Sequence, residues 1–415
     1  MHSNISIFVP HVGCPHKCAF CDQNAITGKQ KLPHKDDVEK ACMQALSQVD
    51  DISDTEIAFF GGSFTAIPRD YMLELLTAAK KFVGGGRFKG IRISTRPDYI
   101  NAEILDILKS YGVTAIELGA QSMSDEVLEA NERGHSAEDV RQASRLIREY
   151  GFELGLQMMV GLYKSGHQQE DETFNEIMAI RPDTVRIYPV VILKNTRLAK
   201  LLAGGEYKPM SFEEVLSLST RALGAFTAAG IRVIKCGLHA SEIVEQDMVG
   251  GFYHPAFREL CEGELYRLRM ESELDKAVKE GRSPENKKLV FAVKKGCISK
   301  AVGQKRANLR GFEELGFKVK IIEKENIGLY EAKLLSDEEA AHDYAVRNIK
   351  QLKRSKSCGC FYCGKIFAPA EISDLINEGC GTAVCPYCGV DSVIGDASGY
   401  PVTKDFMHKM HKRWF

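Results

Sequence analysis

The sequence predicts an α/β protein built around a parallel sheet, on three observations. Across residues 1–240, short apolar runs rich in valine, isoleucine and phenylalanine alternate with amphipathic stretches. In those stretches apolar residues recur at spacings of three and four, and glycine follows the last turn. Six such β-α units come in succession, which implies parallel pairing with helices covering the sheet. Periodicity alone does not choose between an open doubly wound sheet and a closed or partly closed barrel.

The expected strands are Ile5–Pro10, Glu56–Gly62, Gly90–Thr95, Thr114–Ser122, Phe152–Gly161 and Thr184–Leu193. Helices are expected between them, as in "RDYMLELLTAAKKFVG" from Arg69 and "SAEDVRQASRLIREYG" from Ser136. A less regular stretch runs from Lys208 to about Arg282. A small α+β unit follows: a strand in "KLVFAVKKG", a helix in "CISKAVGQKRANLRGFEELG" and a strand in "FKVKIIEKE". Ten lysines and arginines lie between Lys287 and Lys320. They suit a phosphate-contacting face, although Glu313, Glu314 and Glu323 dilute it and a solvated helix face is the plainer reading. A basic helical linker, "AVRNIKQLKRSKS", leads into the C-terminal residues. The expected division is 1–240, 241–345 and 346–415.

The net charge of −1 gives no global electrostatic case for nucleic acid or membrane. No signal peptide and no transmembrane run is read from the sequence. Thirteen cysteines fall mostly in two clusters, Cys14, Cys18 and Cys21 near the N-terminus and six between Cys358 and Cys388. Short-spaced thiols in a reducing compartment read as metal ligands, so the expected location is the cytoplasm.

The first cluster, "HVGCPHKCAFCDQ", has the spacing C-x3-C-x2-C directly after the first strand. Three thiolates on a 4Fe-4S cube leave one iron open to a chelating ligand. The alternatives are a zinc site completed by His11 or His16, or three ordinary thiols. Structural zinc usually takes two short pairs.

With Phe20 in the aromatic slot, this motif resembles that of the radical S-adenosylmethionine (SAM) superfamily. The resemblance implies a partial (β/α)6 barrel of the TIM type. It implies a 4Fe-4S cluster on Cys14, Cys18 and Cys21 whose open iron binds SAM. Reductive cleavage of SAM then gives a 5′-deoxyadenosyl radical, with electrons from a reductant such as flavodoxin or ferredoxin.

Further motifs fall at successive strand ends, where parallel α/β sheets place ligands. In "FFGGSFT" the paired glycines let backbone approach a ligand. By resemblance Gly61, Gly62 and Ser63 hold the SAM amino group; a tight turn is the plainer reading. In "RISTRPD", Ser94 lies near the SAM ribose or methionine, while Asp98 can cap the next helix. Gln121 and Arg133 match SAM contacts, the arginine suited to a carboxylate. Gln157 points inward if its apolar neighbours pack on helices, where relatives often carry a ribose-binding Asp.

"STRPD", "IELGAQS…NERGH", "RIYPVVILKNTRLAKLLAGGEYKP" and "GFYHPAF" resemble the radical SAM half of the Elongator catalytic subunit and its shorter bacterial relatives. That branch implies tRNA as the substrate. No acetyltransferase domain is expected here, so carboxymethylation is not carried over. A small molecule, as in the coproporphyrinogen oxidase branch, is the alternative substrate. Tyr188 and Lys194, after the sixth strand, are candidate substrate contacts. In a third reading the chain is a non-catalytic Fe-S and zinc-ribbon adaptor.

The tail carries Cys360-x2-Cys363 and Cys385-x2-Cys388, two knuckles each followed by glycine. Paired C-x2-C knuckles make a zinc ribbon; a second Fe-S cluster or a redox dithiol are the alternatives. Cys358 and Cys380 are spare thiols, and Trp414 is expected to pack on the ribbon. The tail resembles a small stand-alone bacterial zinc-ribbon protein.

Overall fold

The computed structural model describes residues 3–10, 18–22, 31–49, 51–239, 242–281, 287–376 and 381–415. These fall into two compact units, residues 1–262 and 263–415.

In the first unit seven parallel strands form one sheet: β1 (Ser3–Val9), β2 (Thr55–Gly61), β3 (Gly90–Thr95), β4 (Val113–Gln121), β5 (Glu153–Val160), β6 (Thr184–Pro189) and, after β7 (Val191–Leu193), β8 (Arg232–Cys236). Their spatial order is β1-β2-β3-β4-β5-β6-β8. A doubly wound sheet reverses its order at a switch point. This sheet never reverses, so it is an open half-barrel with helices on its outside.

Alternation along each strand explains the two faces. The set Ile57, Phe59, Ile91, Ile93, Ile116, Leu118, Leu154, Leu156, Val185 and Ile187 is almost wholly buried and packs under the helices. The register puts the intervening residues side by side on the other face: Ala58 beside Arg92, Ser94 beside Glu117, Gln157 beside Arg186, Arg186 beside Lys235. Gln157 therefore points inward, as its apolar neighbours require.

The covering helices follow their sequence signals. Helix Ala137–Glu149 opens with a capping box in which Ser136 Oγ accepts from the Asp139 N–H at 3.2 Å and Asp139 Oδ2 accepts from the Ser136 N–H at 2.7 Å. Helix Arg69–Lys80 buries Met72, Leu75, Leu76 and Ala79. Asn101, not Asp98, caps helix Ala102–Ser110. Asp98 instead holds the Arg96 guanidinium by two bonds of 2.9 Å.

Two expectations fail in this unit. The strand expected over Thr184–Leu193 is two strands: β6 ends at Pro189, and β7 leaves the sheet to pair antiparallel with β9 (Met248–Gly251). Proline cannot donate to the ladder, so the run breaks there. The stretch from Lys208 is also more regular than expected. It contains helix Phe212–Ala228, with its own capping box at Ser211, and strand β8.

In the second unit β10 (Lys288–Lys294) and β11 (Lys318–Lys324) pair parallel, as the β-α-β reading requires, and β12 (Ala332–Leu334) adds an antiparallel edge. The helix expected between them is broken into Ile298–Val302 and Ala307–Glu314, because Gly303, Lys305 and Arg306 all take positive φ. The basic linker is helical only over Ile349–Leu352. The tail forms a three-stranded antiparallel sheet, β14 (Ile366–Phe367), β13 (Cys358–Cys360) and β17 (Val393–Gly395), with β15 (Leu375–Ile376) and β16 (Thr382–Ala383) pairing separately. Helix Lys404–Trp414 follows.

Candidate functional site

Cys14 lies outside the described residues. Cys18 and Cys21 sit on a segment fixed by backbone bonds. The Ala19 N–H donates to Asn131 O at 3.0 Å, Ala19 O accepts from the Leu198 N–H at 2.9 Å, and the Cys21 N–H donates to Cys18 O at 3.0 Å. Ala19 is buried among Val127, Leu162, Val190, Ile192 and Leu198. Residues 18–21 are thus anchored to elements far along the chain.

A cavity of about 130 Å³ opens at the C-terminal ends of the strands, lined by Cys18, Phe20, Cys21, Gly61, Gly62, Ser63, Ser94, Gln121, Arg133 and Gln157 together with Thr95, Arg96 and Gly119. Every residue expected to hold the cluster or SAM, Cys14 apart, is in that wall.

Each is placed for a reason. Gly61 has φ +117°, and a Cβ there would lie 2.6 Å from Val9 O; only glycine lets β2 end this close to β1. The Gly62 N–H donates to Val9 O at 2.9 Å. Ser63 Oγ is engaged internally, with Thr95 Oγ1 at 2.9 Å and the Arg96 N–H at 3.2 Å. Gln121 ends β4 at φ 67°, beyond a register shift, and its buried Oε1 has no partner. Arg133 donates from Nη2 to Gly119 O at 2.6 Å and from Nη1 to Cys18 Sγ at 3.1 Å, while its buried Nε has no partner. Its guanidinium also lies 5.8 Å from the centre of the Phe20 ring. Behind it His135 is held neutral, its pKa pushed down to about 3 by burial and by the charges of Arg133 and Arg96.

These observations test whether the wall fits a cluster and a zwitterionic cofactor. A cation at a thiol sulfur is the setting in which a thiolate ligates metal. Buried polar atoms without partners carry a desolvation cost unless a ligand meets them. Gln121 Oε1 and Arg133 Nε supply one acceptor and one cationic donor in the same wall, which fits an amino acid moiety.

A second cavity of about 470 Å³ shares Phe20, Cys21, Gly61, Ser94, Gln121 and Gln157 with the first. Its other walls include Phe8, Phe60, Met159, Leu193 and Leu238, with Ser6, Arg186, Tyr188 and Lys235 as polar groups. Tyr188 therefore faces the cavity. Lys194 does not; its Nζ donates to Gln246 O at 2.8 Å outside it.

Sequence reasoning missed what underlies this cavity. Arg186 binds Glu117 through two bonds of 2.6 and 2.9 Å. The fully buried Arg92 reaches Glu56 at 2.7 Å, Glu117 at 3.3 Å and Glu153 at 2.7 Å. Gln157 Nε2 donates to Glu117 Oε2 at 3.2 Å and to Ser94 Oγ at 3.3 Å. The signal was present: one charge at alternate positions in the apolar runs "GIRIST", "AIELGA" and "TVRIYP". Lys235 differs from these. Among the described residues no carboxylate pairs with it, and burial, then the charges of Arg186 and Arg258, pull its pKa down.

In the other unit the sulfurs of Cys360, Cys363, Cys385 and Cys388 all lie within 4.8 Å of one another. Cys360 and Cys388 are 3.7 Å apart, Cys363 and Cys385 3.8 Å. A tetrahedral zinc with Zn–S of about 2.3 Å needs S···S of about 3.8 Å. Each knuckle turns on a left-handed glycine, Gly364 (φ 72°) and Gly389 (φ 74°), whose N–H donates to the first cysteine carbonyl. The four residues fit a metal ion. Cys358 is buried in β13, and Cys380 lies outside the described residues.

Residues 8–177 match the family model of the radical SAM superfamily, and residues 182–267 that of the Radical_SAM C-terminal domain. The chain carries a radical SAM domain followed by a Radical_SAM C-terminal domain. The chain is 26% identical over 258 residues to tRNA uridine(34) acetyltransferase of Methanocaldococcus infernus, 52% of this chain and 48% of that protein. It is 31% identical over 192 residues to Elongator complex protein 3 of Homo sapiens, 41% of this chain and 35% of that protein. The chain thus spans about half or less of these curated relatives. The solved structure of the archaeal Methanocaldococcus infernus Elp3 with an N-terminus deletion has a TM-score of 0.52 at 21% identity, covering 70% of this chain and 71% of that one. That likeness is one of fold. No helix among the described residues is long and apolar enough to cross a membrane.

Proposed function

We propose that this radical SAM protein is an enzyme that cleaves SAM reductively and directs the resulting radical at RNA, specifically tRNA. One observation carries the reading. Cys18 and Cys21, the glycine pair that closes β2, Gln121 at the end of β4 and Arg133 beyond helix Asp125–Ala130 converge on one polar cavity that shares a wall with a larger, ring-lined one.

Cys14, Cys18 and Cys21 would hold the 4Fe-4S cluster, which supplies an electron from a flavodoxin- or ferredoxin-type reductant to break the SAM sulfonium and yield a 5′-deoxyadenosyl radical. The chain's own residues bind and orient. Arg133 offers charge-assisted donors to a carboxylate. The Gly61–Ser63 backbone and Gln121 Oε1 offer acceptors to an ammonium. Phe20 walls both cavities, so a group held in one faces the other. Ser94 and Gln157, locked by Glu117, keep the inner wall rigid.

The larger cavity suits a flipped nucleobase. Its rings Phe8 and Phe60 give flat apolar walls, and Tyr188 and Lys235 give polar edges. The similarity to proteins named for tRNA uridine 34 supports tRNA over a small molecule. We further propose zinc at the four ribbon cysteines, a cytoplasmic location, and a functional division into 1–240, 241–345 and 346–415.

Anaerobically reconstituted protein given dithionite and SAM is expected to form 5′-deoxyadenosine; its absence overturns the enzyme reading. Mass spectrometry of tRNA nucleosides from cells with and without the protein then tests the substrate. An unchanged profile, with 5′-deoxyadenosine still formed, transfers the reading to a small molecule.

A further inference from the structure

Arg96 stands in the wall of the polar cavity, and the sequence motifs gave it no role. It follows β3, it is 4% exposed, and its backbone N–H donates to Ser63 Oγ at 3.2 Å. A buried guanidinium needs charge pairing and hydrogen bonds. Asp98 meets part of that need, taking Nε and Nη2 on its two oxygens at 2.9 Å each. Nη1 has no hydrogen-bond partner among the described residues.

The plainer role of this pair is to brace the turn after β3. Three observations go beyond it. First, Arg96 and Arg133 both line the cavity, and among the described residues no carboxylate does. Second, the two arginines act at one place. After burial, it is their two charges that hold His135 neutral. The point where a Cβ on Gly119 would stand is 3.3 Å from Arg133 Nη2 and 3.7 Å from Thr95 O, the carbonyl joined to the Arg96 nitrogen. The end of β3 and Arg133 thus close on one spot of the wall. Third, Arg133 is partly engaged. Nη2 serves Gly119 O and Nη1 faces Cys18 Sγ, which leaves Nε as its nitrogen without a partner. A carboxylate accepts at about four positions on its two oxygens, more than the edge of one guanidinium fills.

We propose that Arg96 is a second cofactor-binding arginine, donating from Nη1 to the carboxylate of SAM beside Arg133, with Asp98 as the residue that orients it. The proposal rests on the reading of this cavity as the SAM site.

The test compares SAM with S-adenosylmethioninamine, which is SAM without its carboxylate. Both are titrated calorimetrically into the anaerobically reconstituted full chain, with iron and sulfide measured on each sample. The parent protein should prefer SAM. Arg96→Gln should weaken SAM binding about tenfold or more, the loss of one charge-assisted bond. Its affinity for S-adenosylmethioninamine should stay within about twofold of the parent's, because the comparison cancels effects that do not involve the carboxylate. A residue that only braced the turn would weaken both ligands alike. A parallel loss for the two ligands therefore overturns the proposal, as does SAM affinity unchanged in the variant or equal affinity of the parent for both ligands. Arg96→Lys keeps the charge but not the fork, and serves if the glutamine variant does not fold: a loss for SAM alone is expected from it, and a parallel loss again overturns the proposal. A parent protein that binds neither ligand refutes the SAM reading itself, and this proposal with it, before any variant is compared.

Discussion

Arg133→Lys is the sharpest test of the cofactor site. Arg133 has five N–H donors on three nitrogens. One nitrogen serves Gly119 O at 2.6 Å, one faces Cys18 Sγ at 3.1 Å, and Nε is buried without a partner. If the guanidinium captures the SAM carboxylate in a fork, it contributes two charge-assisted bonds of about 1.5–3 kcal/mol each. Lysine keeps the charge and one bond. The expected loss is then about 1.5–3 kcal/mol, or roughly 10- to 150-fold in affinity for SAM. The assay is calorimetric titration of anaerobically reconstituted protein with SAM, with iron and sulfide measured on the same samples. Lysine also gives up the bond to Gly119 O, so a fall of a few degrees in the melting temperature is expected and is measured separately. SAM affinity within twofold of the parent protein, at equal iron content, would refute the role given to Arg133.

Gly61→Ala should lower both stability and SAM affinity. The positive φ alone costs about 1–3 kcal/mol, and the added Cβ meets Val9 O at 2.6 Å, so a melting shift near zero would contradict the close β1–β2 approach. Cys363→Ser with Cys385→Ser should remove one bound metal per chain and expose residues 358–415 to limited proteolysis; retained metal by elemental analysis would discount the four-cysteine site. His135 gives a pH signature. The unfolded chain takes up its proton near the ordinary 6.5, the folded chain near 3, so the unfolded state binds more protons between those values. Stability should fall by up to about 1.4 kcal/mol per pH unit as pH drops below 6.5. His135→Gln should flatten that slope; an unchanged slope would mean that His135 is not buried neutral.

The parts of the fold that were legible in the sequence were those with local causes. Gly90–Thr95 was read to the residue, because an apolar run closed by Pro97 has clear ends. The helix from Ala137 was legible through its apolar spacing of three and four and the glycine after its last turn. The break at Pro189 was not, because the apolar run continues past it in "VVIL" and only the pairing of β7 with β9 shows that the chain leaves the sheet. The break at Gly303 was hidden because Lys305 and Arg306 are ordinary helix formers forced to positive φ by tertiary context. The site was legible because the glycine pair, Ser94 and Gln121 lie at strand ends, and parallel topology brings strand ends together. What no motif announced was the charge network beneath it.

That network explains how a half-barrel of apolar strands keeps a polar site. Burying Arg92 among three glutamates is no gain in stability over a well-packed apolar interior. It does fix geometry. Arg92 reaches Glu117 from one direction and Arg186 from the other. Glu117 in turn accepts from Gln157 and Ser94, which stand in the walls of both cavities. The charges of this network thus satisfy one another, while Arg133 is the buried cation proposed for SAM. Lys235, beside Arg186 in the register and lining the larger cavity, meets no carboxylate among the described residues. It is the group left to meet a substrate, and a part-buried amine without a counter-charge suits an electron-rich or anionic edge. If RNA is the substrate as proposed, Lys235→Met should raise its KM while leaving 5′-deoxyadenosine formation without substrate intact. A loss confined to that uncoupled reaction would place Lys235 at the cofactor instead.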